Sequence, residues 1–259
     1  MGKITQLPLT LVLLSKAGEE PVPDRVQEYA PRVAHILVWD DGTGDETTLV
    51  DLQQFSQKVR VEKNPLQGNF ASHRNDALDQ VETEWTFFLD ADEYAGPEVW
   101  QEITTALQEK ELDAVLFPRR DIFLGHQLRY GETGHTTVLR LARTYIAQGK
   151  WQRAVHEVWE IPTERVLTTK HALLHTPHPT VTEFLQKLQW YASLEAKARH
   201  RTTKLTLITQ LLTYPVAKFF QNYFWRRGAL DGFPGLVHAL LMSYYSLITR
   251  VYLYEAWYA

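Results

Sequence analysis

Short apolar runs alternating with helical segments constrain this chain more than any other feature. Residues 9–14, 33–39 and 85–89 are nearly unbroken stretches of Leu, Val, Ile, Phe and Trp, the pattern of strands covered on both faces. Val59-Arg60-Val61 and Ala114-Val115-Leu116-Phe117 read as shorter members of the same set. Between them, residues 24–29, 47–55, 69–81 and 97–110 have helical character, with Asp24 and Asn69 able to cap and Pro97 suited to a first helical position. Strand–helix alternation over the first ~120 residues predicts a mostly parallel sheet with helices on both faces. In such a sheet ligands bind outside the carboxyl ends of the strands.

Two acidic turns fall at those ends. One is Asp40-Asp41-Gly42-Thr43-Gly44-Asp45; the other is Asp90-Ala91-Asp92-Glu93. Carboxylates at i and i+2 can converge on one hard cation, and Mg²⁺ typically takes one or two carboxylates together with substrate phosphates. An acidic turn alone is as well explained by solvation. Two such turns on one sheet edge favour a ligand site.

After residue 120 the pattern changes. Residues 121–175 read as short strands and loops, with a hairpin near Gly125-His126 and strands at 138–141 and 155–161. From Thr180 onward the chain reads as helical, over 184–194, 205–226 and 235–258, which divides it into residues 1–179 and a helical extension, 180–259.

Charge follows the same division. The 259 residues carry a net −4, which argues against general nucleic-acid binding. Residues 180–227 hold eight Lys/Arg against two Glu, a net of +6, so the overall −4 leaves −10 elsewhere. The last 46 residues contain 13 of the 31 aromatic side chains and six charged ones. A basic segment leading into an aromatic, charge-poor tail fits an anionic membrane surface; a homo-oligomer contact is the alternative. No run of about 20 residues is free of charge, so a spanning helix is not expected, and the N-terminal apolar run is too short for a leader. The absence of Cys removes disulfides and thiolate sites and fits a reducing compartment.

The order of these motifs resembles a known family. Asp40–Thr47, then His73-Arg74-Asn75-Asp76-Ala77-Leu78, then the strand ending in Asp90-Ala91-Asp92-Glu93 is similar to the family-2 inverting glycosyltransferases, which have the nucleotide-sugar-binding GT-A fold. Leu139-Arg140-Leu141, Val155-His156-Glu157-Val158, His175, Tyr191 and Arg227-Gly228-Ala229-Leu230-Asp231-Gly232 are similar to the lipopolysaccharide core β-glucosyltransferase-like members. The first strand departs from the family, ending in Ser15-Lys16-Ala17-Gly18-Glu19-Glu20 where Asn-Glu is usual.

The resemblance implies a GT-A-like α/β domain that moves a sugar from a nucleotide diphosphate sugar, a UDP-sugar above all, to a hydroxyl of a glycan or lipid-linked glycan. It implies Mg²⁺ or Mn²⁺ held by Asp92, with Asp90 on the ribose or on the metal through water and Glu93 orienting Asp92. Asp40 would accept a hydrogen bond from the base, and Arg74 would meet the uracil or a phosphate. Arg140 would bind acceptor or diphosphate, or else form a strand-edge salt bridge. Inversion needs one carboxylate as general base. Glu157, assisted by His156, is the first choice and Glu132 the alternative. His175 and His178 read as loop histidines, one of them able to face a metal or phosphate. The location implied is cytoplasmic, peripheral on the inner face of the cytoplasmic membrane. A catalytically silent scaffold is the competing reading.

Overall fold

The computed structural model describes residues 6–15, 21–42, 52, 56–148, 150–153, 157–177, 180–198 and 203–256. The segment after Ser15, most of the expected 47–55 helix, His156 and His178 lie outside them.

The described chain forms two compact units. The first comprises the residues up to Pro118 together with Thr137–Leu173; the second comprises Arg119–Thr136 and everything from Leu174 onward. This differs from a single cut near residue 180. The hairpin inserted at 119–136 groups with the C-terminal helices because Phe123 and Leu128 share a buried cluster with Phe184 and Leu188.

In the first unit the sheet runs in the order β3 (Val59–Lys63), β2 (Val33–Asp40), β1 (Leu7–Ser15), β4 (Trp85–Asp90), β8 (Thr137–Arg143), β6 (Ala114–Phe123). The first four are parallel; β8 lies antiparallel to both β4 and β6. β11 (Val166–Thr168) adds in parallel to β6. This is the mixed, mostly parallel sheet that the strand–helix alternation predicts.

Helices α1 (Pro21–Tyr29) and α3 (Pro97–Ala106) cover one face. There Leu9, Leu11, Leu13, Ile36, Phe87 and Leu89 join Tyr29, Trp100 and Ile103 in one buried cluster. The opposite face, with Val12, Leu37 and Phe88, packs on α2 (Phe70–Leu78) and on a two-stranded ribbon, β9 (Trp151–Gln152) with β10 (Val158–Trp159). Side chains alternate across each strand, so consecutive apolar residues serve the two clusters in turn. A two-residue strand, β5 (Glu93–Tyr94), follows the acidic turn, and a one-turn helix, α4 (Thr144–Ala147), follows β8.

In the second unit, β7 (His126–Gln127) folds back on the end of β6 through Leu124 and Gly125, at φ 51° and 72°. Positive φ at both central positions suits the two-residue hairpin turn. β12 (Leu173–His175) crosses the boundary between the units. Three helices follow: α5 (Val181–Ala198), α6 (Lys204–Phe220) and α7 (Gly232–Glu255). The expected 205–226 helix thus ends six residues early, continuing as a π turn, Gln221–Trp225, and a 3₁₀ turn, Gly228–Asp231. Gly228 and Gly235 permit this corner. A Cβ on Gly235 would lie 2.0 Å from the Gly228 carbonyl oxygen, and one on Gly228 would lie 2.7 Å from that of Asn222. Asp231 locks it, accepting the backbone N–H groups of Arg129 and Tyr130 at 3.1 and 2.9 Å. By length and composition Gly228–Glu255 is long and apolar enough to cross a membrane, contrary to the expectation from charge spacing, because Asp231 and Arg250 stand near its two ends.

Candidate active site

The described candidates for donor, metal and base belong to the first unit, except Glu132 and His175, which belong to the second. β2 ends in Asp40 and β4 in Asp90, and Ser15 at the end of the intervening β1 pairs in register with Asp40. The acidic residues therefore reach the same carboxyl edge.

Asp40 is fully buried and its Oδ2 accepts the Gly42 N–H at 2.9 Å. Gly42 has φ +81°, a value costly for a side-chain-bearing residue, and an added Cβ would stand 3.1 Å from Pro65 Cγ. Both the turn role and the exclusion of a larger residue are thus visible at Asp40-Asp41-Gly42. Beside it the Ser15 hydroxyl is buried with no hydrogen-bond partner among the described residues.

α2 is fixed at its start by the Asn69 side chain, which accepts the Ser72 N–H at 3.0 Å. Its Asn75 side chain holds the backbone of Trp151 in both directions, at 3.1 Å each. The Trp151 and Trp159 rings stack at 5.1 Å, 8° from parallel, and both present themselves edge-to-face to Phe88. Phe88 lies two residues before Asp90. This aromatic stack thereby brings the β9–β10 ribbon, and Glu157 immediately before β10, to the end of β4. Arg74 rests on the same stack, its Cζ 4.6 Å from the Trp151 ring.

Arg74 joins the parts. Its Nη2 donates to Asp90 Oδ1 and to Glu157 Oε1, each at 2.7 Å, and its Nε donates to Glu157 Oε1 at 3.1 Å. The third guanidinium nitrogen, Nη1, is buried without a partner among the described residues. Arg140 sits on the other side of Asp90. Its Nη2 donates to Asp90 Oδ2 at 2.6 Å and to Glu93 Oε1 at 2.7 Å, and its Nε to Glu93 Oε2 at 2.9 Å. Burial alone would lower the Arg140 pKa, but Asp90, Glu93 and Glu157 outweigh it and hold the pKa above the ordinary arginine value.

Exposure divides these groups by role. Glu93 is 0% exposed and Arg140 6%, whereas Asp90 and Glu157 keep 24% and 18% of their side chains open. Arg140 makes a salt bridge, as one of its two sequence readings expected, and here the pair is buried. Glu93 orients Asp90, whose N–H it accepts at 3.3 Å, where the sequence reading paired it with Asp92. Asp92 stands in the turn between β4 and β5, half-buried.

Among the described residues no group of three His, Asp or Glu side chains is gathered to hold a metal. The Asp90–Asp92 pair is therefore not a preformed cation cage: each Asp90 oxygen already accepts a guanidinium N–H. Asp92, half-buried in the turn, is a single carboxylate, and one carboxylate fits a Mg²⁺-type ion whose other ligands are phosphates and water.

In the second unit, Glu132 accepts Lys218 Nζ at 2.8 Å on one oxygen and Asn222 Nδ2 at 3.3 Å on the other. His175 Nδ1 meets Asp121 Oδ1 at 2.7 Å. Burial would raise the Asp121 pKa, but the His175 hydrogen bond and charge keep it below the usual carboxylate value.

The sequence pattern gave no sign of the Trp151–Trp159 stack, of Asn75 as the link to that ribbon, or of Arg74 as the bridge to Glu157. Their common signal would have been the Trp pair flanking Glu157 at a spacing of eight.

Comparisons with known proteins bear on the family of the chain. Over 260 aligned residues the chain is 26% identical to the lipopolysaccharide core biosynthesis glycosyltransferase LpsC of Rhizobium meliloti (strain 1021), covering 97% of this chain and 94% of LpsC. Among solved structures it aligns with S. aureus TarS 1-349 in complex with UDP-GlcNAc, at 13% identity, 97% and 92% coverage and TM-score 0.48. It spans 55% of the longer TarS chain, at TM-score 0.46 and 15% identity. It also aligns with glucosyl-3-phosphoglycerate synthase from Mycobacterium tuberculosis, at 13% identity, 73% and 79% coverage and TM-score 0.46. The model of glycosyl transferase family 2 matches residues 22–161, more than half the chain, and the chain is a glycosyltransferase that belongs to that family.

Proposed function

We propose that this glycosyltransferase moves a sugar from a UDP-sugar to a hydroxyl of a glycan or lipid-linked glycan, with inversion, in a single displacement. One observation carries the reading: a single guanidinium, Arg74, holds Asp90 and Glu157 at 2.7 Å each on the strand edge where Asp40 also ends. That arrangement brings a donor-side carboxylate and a candidate base to one guanidinium nitrogen.

In this reading Asp40 accepts the ring N–H of uracil, a bond for which a carboxylate is well suited. The buried Ser15 hydroxyl, beside it in register, supplies a further polar group to the nucleoside. Arg74 Nη1 is the unspent donor for a diphosphate oxygen. Asp92 would hold Mg²⁺ or Mn²⁺, which when bound neutralises charge developing on the leaving diphosphate. Asp90, fixed by Arg74 and Arg140, orders the arginines and faces the ribose. Glu157 takes the proton of the acceptor hydroxyl. Both of its bonds to Arg74 land on Oε1, so Oε2 is the atom for that step. Glu132 is the weaker candidate, since both its oxygens accept from Lys218 and Asn222. His156 is retained only as a neighbour of Glu157 in sequence.

The acceptor class follows the relationship to LpsC, a lipopolysaccharide core enzyme by name. The basic and aromatic C-terminal segment supports an acceptor met at an anionic membrane surface, which we assign to the cytoplasmic side. A screen of UDP-, dTDP- and GDP-sugars with glycan acceptors, read by NMR at the new anomeric centre, tests the proposal. Transfer from UDP-sugars with inverted configuration supports it; retained configuration, or no transfer from any nucleotide sugar, overturns it.

A further inference from the structure

The second unit exposes apolar surface that its own fold does not use. On α6, Leu205, Ile208, Leu212, Val216 and Phe220 recur at intervals of three and four and so line one helical face. All five are exposed, Leu205 at 77% and Leu212 at 69%. The other face of α6 serves the fold: Leu207 is buried with Ala196 and Leu253, and the Pro215 carbonyl accepts the Ser243 hydroxyl of α7 at 2.7 Å. The stripe runs into the corner between α6 and α7. There Phe224, Trp225, Leu230 and Phe233 are 58%, 86%, 65% and 72% exposed. Phe220, Gln221, Phe224 and Trp225 line a cleft of about 380 Å³ at the same place.

The corner is braced by backbone hydrogen bonds. Asp231 pins it to the backbone at 129–130, Gly131 donates to the Arg226 carbonyl at 2.9 Å, and Gly228 and Gly235 are in close backbone contact. Aromatics presented from a braced backbone cost less to order on burial.

Charge selects the occupant. From Thr203 to Ala256 the only acidic residues are Asp231, buried in its backbone cage, and Glu255 at the far end of α7. Lys204 and Arg227 are exposed and Arg226 half-exposed, at the two ends of the apolar stripe. A second copy on this face would bring cations toward cations, and its α6 and α7 add only Glu255 to meet them. A bilayer with anionic headgroups answers both the apolar stripe and the cations, with Trp225 at headgroup depth.

Helix α7, although long enough to span and with Leu240, Leu247 and Val251 exposed, is held to the protein by its opposite face. Arg250 is buried, donating to Ser246 at 2.8 Å and 3.0 Å with its Cζ 4.6 Å from the Tyr214 ring of α6. Val237, Leu241 and Tyr245 pack with Phe184 and Leu188 of α5.

We propose that α6 and the 220–233 corner lie in the plane of an anionic membrane surface as an in-plane anchor, with Trp225 and Phe233 as its inserted side chains and α7 kept on the protein side. The inference rests on the membrane-acceptor reading above for its purpose, but not on the sugar-transfer chemistry, and its test is independent of activity.

The full chain should sediment with phosphatidylethanolamine–phosphatidylglycerol vesicles, more weakly with phosphatidylcholine vesicles, and be released by alkaline carbonate. The double variant Trp225→Ala/Phe233→Ala should bind the anionic vesicles at least about tenfold less, while Trp225→Phe keeps most binding. Transfer to a soluble acceptor should be unchanged in the double variant. Both side chains are mostly exposed, so the fold does not depend on them. The proposal is overturned if the double variant binds as the parent does, if the parent stays in solution, or if carbonate fails to release it, the mark of a spanning helix. It is equally overturned if the double substitution converts a lipid-free dimer to monomer, which makes a second copy the occupant.

Discussion

The carboxyl edge of the first unit and the exposed face of the second handle their side chains in opposite ways. At the edge, Arg74 and Arg140 tie Asp90, Glu93 and Glu157 into one lattice in which two guanidinium groups meet three carboxylates at 2.6–3.1 Å. On α6 and its corner, large apolar groups stand in solvent with almost no acidic neighbour. Buried charge is costly unless paired and hydrogen-bonded, so the lattice persists only because each member satisfies another. Exposed apolar surface carries no such cross-bracing; it gains only when something covers it. A site built on mutual satisfaction is poised for charged ligands that exchange partners. A face built on non-satisfaction is poised for a surface.

The largest expected effect removes the proposed chemistry without touching the lattice's geometry. Glu157→Gln keeps the size of the side chain and an acceptor oxygen for Arg74, so folding and donor binding should persist. Sugar transfer measured in steady state should fall by about 10²–10⁴-fold, the usual contribution of a general base. A fall of only a few fold would move the base elsewhere.

Next is Arg140→Met, which takes from the buried Glu93 its Arg140 ion pair. Thermal or urea unfolding should show a loss of about 3–5 kcal/mol. The double variant Arg140→Met/Glu93→Met should recover part of it, since removing both charges relieves the desolvation. If the single variant is neutral, the lattice is not a buried ion pair in solution.

In the second unit the corresponding test is steric. Gly235→Ala would press its methyl against the Gly228 carbonyl, 2.0 Å away, and should destabilise by about 3 kcal/mol. Because the corner carries Trp225 and Phe233, vesicle binding should weaken with it, whereas the acidic lattice should be untouched.

The smallest effect is a pH dependence. His238 is buried between Phe123 and Phe184, and burial lowers its pKa from 6.5. The unfolded chain therefore takes up a proton first as pH falls, and stability contributed by the neutral ring is lost progressively below about pH 6.5. His238→Phe, which suits the aromatic surroundings, should flatten that part of the stability profile. An unchanged slope would assign it to other groups, His73 among them, whose pKa burial also lowers.

The sheet was legible because its strands announce themselves. Nearly unbroken apolar runs at 9–14, 33–39 and 85–89 have to be covered on both faces, and two of the helices that cover them are marked by Asn69 and by Pro97. The acidic ends followed from the same reading, since turn residues come where apolar runs stop. The ion pairs did not follow. Arg74 meets Glu157 across 83 positions, and no local pattern encodes which carboxylate an arginine faces. The same limit explains Arg140, a strand residue whose partner Glu93 lies 47 positions away. The C-terminal helices were legible by period, but their corner was not. Its shape depends on the backbone contact of Gly228 with Gly235, a tertiary demand that overrides the helical pattern through 221–231.

Calorimetric titration of UDP, with and without Mn²⁺, into the parent and Asp92→Asn tests the central claim most directly. The account predicts UDP binding strengthened by Mn²⁺ in the parent, with that enhancement lost in Asp92→Asn at unchanged thermal stability. UDP binding that is equal in chelator and Mn²⁺, or an enhancement that survives in Asp92→Asn, would contradict it.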